Sequence, residues 1–295
     1  TGFSAISLLR RGDERRRTFR PRQANRLVWE DRDLASYVWL PPWHPVNLGS
    51  DRMNDLASPL FSTMRRFPMP GLSPFVRAAR LILVESSAAL LLVDRLRRAA
   101  PAARMVYRQS DSPAAVGAHP LVVRAERQAA RHFHLISVPE RRRVDLFEPG
   151  LPVRVHPHGV ATGAFDRATA SPYGPERRTR AAAERRPDWE FHLLGPWGGG
   201  DHAPNVIAHG IVPFEESAAY VRHADVGLNP VLVTSPQLRQ ATPKIMQYTY
   251  CGLPIVAEEG VAGPWPHLFP YRTGDPTSIS AALAGADAFP RADVP

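Results

Sequence analysis

Residues 242–257 read TPKIMQYTYCGLPIVA, and this stretch decides the fold. It opens with Thr242, a residue type that caps helices, and with Pro243, which fits a first helical position. Gly252 ends the predicted helix, because glycine readily adopts the left-handed conformation that closes helices. The apolar run Pro254–Ala257 follows at once and is typical of a buried strand. The stretch therefore predicts a helix packed on a parallel sheet, with its amino terminus at the carboxyl edge of the strands.

The same helix carries side chains that favour an anion. Lys244 lies in the first turn, where free backbone N–H groups and the positive end of the helix dipole attract a phosphate. Gln247 lies one turn later on the same face. Lys244 is also the only lysine among 37 basic residues, which suggests that this position needs a compact ammonium group. These features predict a pyrophosphate site; an ordinary capped helix with an exposed lysine is the alternative.

Strands and helices alternate outward from this stretch. In the first half we predict a helix over Ser86–Arg98 and strands at Leu81–Val84, Arg104–Arg108, His134–Val138 and Val153–His156. In the second half we predict strands at Trp189–Leu194, Asn205–His209 and Asp225–Asn229. The alternation predicts an α/β protein of two doubly wound, Rossmann-like lobes facing a cleft. We assign residues 1–157 to the first lobe and 158–274 to the second, and we expect a C-terminal helix in 275–295 to pack back on the first lobe.

The positive charge is concentrated in the first half of the chain. Residues 1–150 contain 25 arginines and 14 acidic residues, whereas residues 151–295 contain 12 basic and 14 acidic residues. Such a half favours an anionic partner: nucleic acid, an acidic lipid surface or a phosphorylated substrate. The sequence contains no helix-turn-helix, zinc or RNP signature, so we expect no nucleic acid. It contains one cysteine and no histidine or carboxylate cluster at metal-ligand spacing, so we expect no metal.

Several segments together resemble a known family. The lysine-bearing helix with its Gly-Leu-Pro-Ile-Val sequence, preceded by Pro-His-Gly at 157–159, resembles the donor lobe of GT-B glycosyltransferases. More narrowly, the chain resembles the glucuronosyltransferases of the xanthan pathway. The segments that carry this resemblance are Tyr37–Asn47, Arg108–Asp111, His119–Glu126, His209-Gly210 and Lys244–Gln247.

The resemblance implies an activity and a set of site residues. It implies an inverting, metal-independent transferase that moves a sugar, best matched by glucuronate from UDP-glucuronate, to a lipid-linked oligosaccharide in exopolysaccharide synthesis. The nucleotide sugar is a co-substrate, and no cofactor is expected. The resemblance assigns the catalytic base to Asp111 and the donor phosphates to Lys244 and Gln247. The other residues that we place in the donor site are Thr242, Met246 and Glu258.

Asp111 can also be judged by its own position. It follows the predicted strand Arg104–Arg108, at the rim where ligands bind in open α/β sheets. An inverting transfer needs one carboxylate to accept the proton of the acceptor hydroxyl. The alternative is that Asp111 or a neighbouring serine caps a following helix. Both interpretations fit the sequence.

Large apolar and cationic side chains are mixed within residues 39–67. Such a mixture can lie on an anionic bilayer without crossing it, and the alternative is the edge of a core with arginines outside. The residues that we assign to the acceptor or membrane surface are Trp39, Trp43, Phe61, Arg65, Arg66 and Phe67. No apolar run approaches the roughly 18 residues of a membrane span, and no export signal is recognisable. We therefore expect a cytoplasmic protein, peripheral on the inner face of the cell membrane.

Three other functions remain open on the sequence. A glucosyl- or mannosyltransferase of the same fold would share these features, because the fold does not define the sugar. A non-catalytic relative that only binds the membrane surface is a second possibility, and replacement of Lys244 would distinguish it from an enzyme. A basic nucleic-acid-binding protein would keep the charge alone.

Overall fold

The computed structural model describes residues 24–173, 186–195, 203–230, 243–261 and 265–294. The chain divides into two compact units, Thr1–Pro157 and His158–Pro295, which we call unit 1 and unit 2. None of the helices in the described ranges is both long enough and apolar enough to cross a membrane.

Unit 1 contains a four-stranded parallel sheet. Its strands are β3 (Leu81–Glu85), β4 (Arg104–Arg108), β5 (Leu135–Val138) and β6 (Val153–Val155), adjacent in that order. A separate antiparallel pair, β1 (Leu27–Trp29) and β2 (Ala35–Tyr37), precedes it. The α-helices are α1 (Asp51–Ser62), α2 (Ser73–Ala78), α3 (Val93–Ala99) and α4 (Pro120–Ala130). Short 3-10 helices cover Thr63–Arg66, Ala88–Leu92 and Arg141–Leu146.

The core of unit 1 lies on one face of this sheet. Val84, Tyr107 and Ile136 are paired in register, so their side chains project from the same face, and all three are buried. Val122 and Ala129 of α4 pack into the same cluster. The period-2 pattern of the strands and the helical pattern of α4 thus meet in one apolar layer.

The predicted helix over Ser86–Arg98 is two elements in the structure. Ala88–Leu92 is a 3-10 helix that begins where the Ser87 hydroxyl accepts a hydrogen bond from the Ala89 N–H, and α3 follows it. Leu90, Leu92 and Val93 are all buried. This spacing does not fit a single α-helical stripe, so the chain tightens before α3 begins.

Unit 2 is also built on parallel strands. β7 (Phe191–Leu194) pairs with β8 (Val206–Gly210), and a second sheet has the order β11 (Leu268–Tyr271), β10 (Ile255–Glu258), β9 (Gly227–Asn229). Its α-helices are α5 (Thr162–Arg167), α6 (Phe214–His223), α7 (Pro243–Tyr250) and α8 (Pro276–Ala288). A 3-10 helix, Arg291–Asp293, lies near the end.

The C-terminal helix corrects one expectation. We expected residues 275–295 to pack back on the first lobe, but α8 packs on β10 and β11 of unit 2. Leu283 and Ala286 join Val256 in a buried cluster. Gly285 explains the close approach: a Cβ there would lie 2.7 Å from the Phe269 ring, so only glycine lets the helix reach the sheet.

Candidate functional site

The lysine-bearing helix has the geometry that the sequence predicts. α7 ends in a Schellman motif, in which the Gly252 N–H donates to the Thr249 carbonyl and the Leu253 N–H donates to the Tyr248 carbonyl. Gly252 has φ +68°, so its predicted role as the end of the helix is confirmed. Strand β10 starts at Ile255, directly after this turn. The helix therefore runs back against the strand direction, and its amino terminus lies toward the carboxyl ends of β9 and β10.

A close contact fixes α7 over β9. A Cβ at Gly227 would lie 2.5 Å from the Tyr248 ring, and the Tyr248 hydroxyl donates to the Leu228 carbonyl at 3.1 Å. Ile245 is fully buried beneath the helix. His267 is also buried, and its Nε2 lies 2.9 Å from Thr249 Oγ1. These contacts hold the helix by one face, and the exposed Lys244 is not part of them.

The predicted donor residues lie on this helix and on the next strand. Lys244 is exposed in the first turn, and Met246 and Gln247 are half-buried. Glu258 is half-buried at the carboxyl end of β10, where its Oε2 accepts the Gly260 N–H at 2.7 Å. Thr242 lies outside the described residues. A free ammonium, a helix amino terminus and an amide on one helix can bind a diphosphate.

Asp111 lies at the carboxyl end of β4 and is exposed. Its backbone N–H donates to Ser86 Oγ at 3.1 Å, which ties it to the end of β3. Turns follow it, and the next helix, α4, begins at Pro120 with His119 as its cap. Asp111 is therefore not the cap of that helix. An exposed carboxylate at a strand end is accessible to an acceptor hydroxyl, as a general base requires.

A buried polar network lies directly beneath Asp111. Glu126 of α4 accepts hydrogen bonds on Oε1 from the Tyr107 hydroxyl and, at 2.8 Å, from Gln109 Nε2. Arg143 Nη1 donates to the Ser110 carbonyl at 3.3 Å and lies 3.5 Å from Gln109 Oε1. Burial, and secondarily the Glu126 carboxylate, raises the pKa of Tyr107, which therefore remains a donor. Burial lowers the pKa of Arg143, and the carboxylates of Glu140 and Asp111 oppose that change.

The network was not predicted from the sequence, although a weak signal exists. Arg143 is the third of three consecutive arginines, and Arg141 and Arg142 are exposed. Glu126 lies in one of the segments that carry the family resemblance, but the sequence analysis assigned it no role. A glutamate within the apolar face of α4 is the sequence feature that could have indicated a buried polar partner.

The predicted membrane residues are only partly exposed. Phe61 is buried, with its ring 5.0 Å from the His119 ring, so its assignment to an exposed surface is wrong. Phe61 is buried because it lies, like Asn54, on the face of α1 that packs against the rest of unit 1. Trp43 and Phe67 are half-buried and pack edge to face at 5.0 Å, and the Trp39 Nε1–H donates to the Pro68 carbonyl. The exposed members are Arg65 and Arg66.

Other apolar side chains of α1 are exposed instead. Met53, Leu56 and Leu60 are 48%, 76% and 47% exposed. Their spacing of three and four residues places them on one face of the helix. This apolar face was missed because the sequence pattern does not show which side of an amphipathic helix meets the core.

No metal-binding group of three or more His, Cys, Asp or Glu side chains occurs in the described part of the chain. The absence of a metal requirement stays a prediction.

The fold has known counterparts among solved structures. The α,α-trehalose-phosphate synthase (UDP-forming) of Burkholderia xenovorans, solved with glucose-6-phosphate, superposes with a TM-score of 0.58 over 83% of this chain and 73% of its own, at 15% identity. A ligand-free OtsA structure superposes with a TM-score of 0.50 over 82% and 70%, at 12% identity. The class that the architecture defines is therefore the GT-B fold, built from two Rossmann-like units.

The sequence comparisons give a narrower group of similar proteins than the fold does. Residues 1–139 match the family model described as "Glucuronosyltransferase GumK, N-terminal domain". The UDP-glucuronate:glycolipid 2-beta-glucuronosyltransferase of Xanthomonas campestris pv. campestris is 26% identical over 280 residues, covering 86% of this chain and 68% of that protein. The chain thus resembles the xanthan-pathway glucuronosyltransferases, as the sequence analysis expected.

Proposed function

We propose that this chain is a glycosyltransferase that transfers glucuronate from UDP-glucuronate to a lipid-linked oligosaccharide in exopolysaccharide synthesis, with inversion and without a metal ion. The Xanthomonas relative, whose name gives a UDP-glucuronate donor and a glycolipid acceptor, supports the substrates. The single observation that carries the proposal is the first turn of α7. It combines an exposed Lys244 with the amino terminus of a helix that lies toward the carboxyl edge of the β9–β10–β11 sheet, where the N–H groups of a first turn have no partner within the helix.

In the proposed reaction, Asp111 accepts the proton of the acceptor hydroxyl. The oxygen attacks the anomeric carbon from the face opposite UDP, the new glycosidic bond forms, and the bond to the diphosphate breaks. UDP leaves with that electron pair. Lys244 and the amino terminus of α7 stabilise the negative charge that grows on the diphosphate, in place of a metal ion. One carboxylate and one cationic anion site are sufficient for this chemistry.

The proposal also places the protein on the inner face of the cell membrane. The exposed apolar face of α1, formed by Met53, Leu56 and Leu60, supports this, together with Arg65 and Arg66 just after the helix. Apolar side chains beside cations suit the boundary between acyl chains and anionic headgroups. In this surface the exposed face of α1 takes the place of Phe61, and Arg65 and Arg66 are kept from the sequence analysis.

Calorimetric titration tests the donor site. UDP-glucuronate, UDP-glucose, UDP and GDP-mannose are titrated with EDTA present, and we expect UDP-glucuronate to bind most tightly. Lys244→Ala should weaken UDP binding by about 10- to 100-fold, because a charge-assisted hydrogen bond to the phosphate is lost.

The matched control is Arg222→Ala, which removes the same charge from the last turn of α6. This variant should bind UDP normally. Unchanged UDP affinity in Lys244→Ala would contradict the donor site, preference for another sugar nucleotide would change the substrate, and strict dependence on Mg²⁺ or Mn²⁺ would contradict the metal-independent scheme.

A further inference from the structure

The inference begins with a buried arginine. Arg143 is only 4% exposed, whereas Arg141 and Arg142 on the same turn are exposed. Burying a guanidinium is costly unless its charge is compensated. The carboxylates of Glu140, Asp111 and Glu126 all act on Arg143 electrostatically. The one arginine of the three that turns inward is therefore the one that lies beneath Asp111.

Only one orientation of the Gln109 side-chain amide satisfies the hydrogen bonds of this network. Its amide lies between Glu126, which accepts from Gln109 Nε2, and Arg143, which can only donate and faces Gln109 Oε1. The Tyr107 hydroxyl donates to the same Glu126 oxygen, Oε1. Gln109 is fully buried, so water does not compete for these bonds. The amide is thus fixed in orientation by a carboxylate at one end and a cation at the other.

Each residue of the segment 109–111 is held by a different neighbour. The Gln109 N–H donates to the Ser137 carbonyl of β5 at 2.9 Å. Ser110 donates its hydroxyl to Glu85 Oε2 at 2.7 Å and receives Arg143 Nη1 on its carbonyl. Asp111 donates its N–H to Ser86. The backbone is therefore fixed from both adjacent strands and from below, while the Asp111 carboxylate remains exposed.

We infer that Arg143 and Gln109 are positioning residues of the transfer reaction, which hold the segment 109–111 so that the Asp111 carboxylate meets the acceptor hydroxyl. This inference rests on the proposed function of Asp111 as the base. A catalytic group that is displaced by about 1 Å can lose 100-fold in rate. The positioning residues touch neither substrate, and their effect reaches the reaction through the backbone of Ser110 and Asp111.

Steady-state kinetics on the full chain test the inference. UDP release from UDP-glucuronate is measured with lipid-linked oligosaccharide extracted from bacterial membranes as acceptor. Arg143→Ala should lower kcat by about 100-fold and leave the KM for UDP-glucuronate within twofold. Free guanidinium ion at millimolar concentration should restore part of kcat, because it fills the vacated site.

Gln109→Met, which keeps the volume and removes both hydrogen bonds, should lower kcat similarly. The effects of Arg143→Ala and Gln109→Met should not add in the double variant.

The control separates positioning from stability. Like Arg143, Arg95 of α3 donates from its Nη1 to the backbone of unit 1, to the carbonyls of Phe67 at 2.6 Å and Arg65 at 3.4 Å, but it lies outside the network around Glu126. Arg95→Ala should also lower the melting temperature but retain kcat. Equal loss of kcat in both variants would overturn the positioning role.

Asp111→Asn distinguishes failure of this inference from failure of the proposed function. If Asp111→Asn retains full turnover, the base assignment itself is wrong. If Asp111→Asn is inactive while Arg143→Ala and Gln109→Met keep full kcat, only the positioning role is overturned. Loss of kcat in all three, with guanidinium rescue of Arg143→Ala alone, supports both.

Discussion

At the scale of single residues, Asp111 and Lys244 occupy comparable places in their units. Asp111 follows β4 of unit 1, and Lys244 lies toward the carboxyl edge of the unit 2 sheet. Both are exposed, and neither side chain is needed to complete a core. An exposed charged side chain at the ligand-binding edge of a parallel sheet costs the fold little and is available for chemistry.

Asp111→Asn should abolish turnover and preserve donor binding. The amide keeps the size of the side chain but accepts no proton at neutral pH, so we expect kcat to fall by at least about 100-fold. UDP affinity, measured by calorimetry, should stay within twofold, because the donor residues lie in unit 2. A parallel loss of UDP affinity would indicate that Asp111 supports the structure instead.

Single residues were predictable where local rules suffice. Lys244 and Gly252 could be placed because capping chemistry is encoded within a few neighbouring positions. Arg143 and Glu126 could not, because their burial depends on Tyr107 and Gln109, which are distant in the sequence. The donor, acceptor and base assignments stay predictions.

At the scale of elements, α1 combines two opposite faces. Phe61 and Asn54 are buried on the inner side, and Leu56 is 76% exposed on the other. Asn54 fixes the inner side, because its Oδ1 accepts the Leu48 N–H and its backbone carbonyl lies 3.2 Å from His119 Nε2. The helix is therefore anchored by one face and presents an apolar stripe on the other.

Leu56→Gln should weaken binding to anionic membranes. Burial of one leucine side chain contributes about 1.5–3 kcal/mol, so we expect at least about a tenfold lower partition coefficient. Flotation with vesicles of phosphatidylethanolamine and phosphatidylglycerol measures it. Leu81→Gln is the matched control, since Leu81 is 61% exposed on β3 of the same unit. Equal partition of both variants and the parent would contradict the membrane surface on α1.

The strands were more predictable than their neighbours. The predictions for β3, β4 and β5 are confirmed to within a residue at each end, because apolar runs flanked by turn residues are a local signal. The predicted helix over Ser86–Arg98 was wrong in its first half, and the packing of α8 was wrong altogether. The first error concerns the type of helix, because Ala88–Leu92 forms a 3-10 helix before α3. The second concerns the surface that α8 covers, which depends on close contacts such as Gly285 with Phe269.

At the scale of the whole molecule, buried histidines connect stability to pH. Burial lowers the pKa of His119 in unit 1 and of His192 and His267 in unit 2 below the ordinary value of 6.5. In His119 the unprotonated Nδ1 also has a structural role, because it accepts the Leu121 N–H and caps α4.

The melting temperature should fall as the pH is lowered from 7 to 5. The folded pKa values lie below the unfolded ones, so the unfolded chain takes up protons first and acidification favours unfolding. Above the ordinary value of 6.5 this contribution is complete, and little change is expected between pH 7 and 8. His267→Gln should reduce the pH dependence, because glutamine can still bond Thr249 but does not titrate. A melting temperature that is constant from pH 7 to 5 would contradict this account.

The sequence predicted an α/β protein with two Rossmann-like units, and the fold confirms that class. Alternating strands and helices are sufficient for this conclusion. The sequence could not predict in the same way which surface of the basic first half contacts its anionic partner. The number of arginines defines the sign of the partner, whereas the choice of surface depends on which side of α1 faces outward.

Helix α7 has a practical consequence for experiments on the purified protein. In this 295-residue sequence the single lysine, Lys244, lies in its first turn, and the single cysteine, Cys251, directly follows its last residue. An amine-reactive dye on Lys244 and a thiol-reactive dye on Cys251 therefore mark opposite ends of one short helix, about 10 Å apart along its axis. Cys251 is half-buried and burial raises its pKa, so we expect it to react slowly with the thiol-reactive dye. Protection of the amine by UDP would report occupancy of the other end.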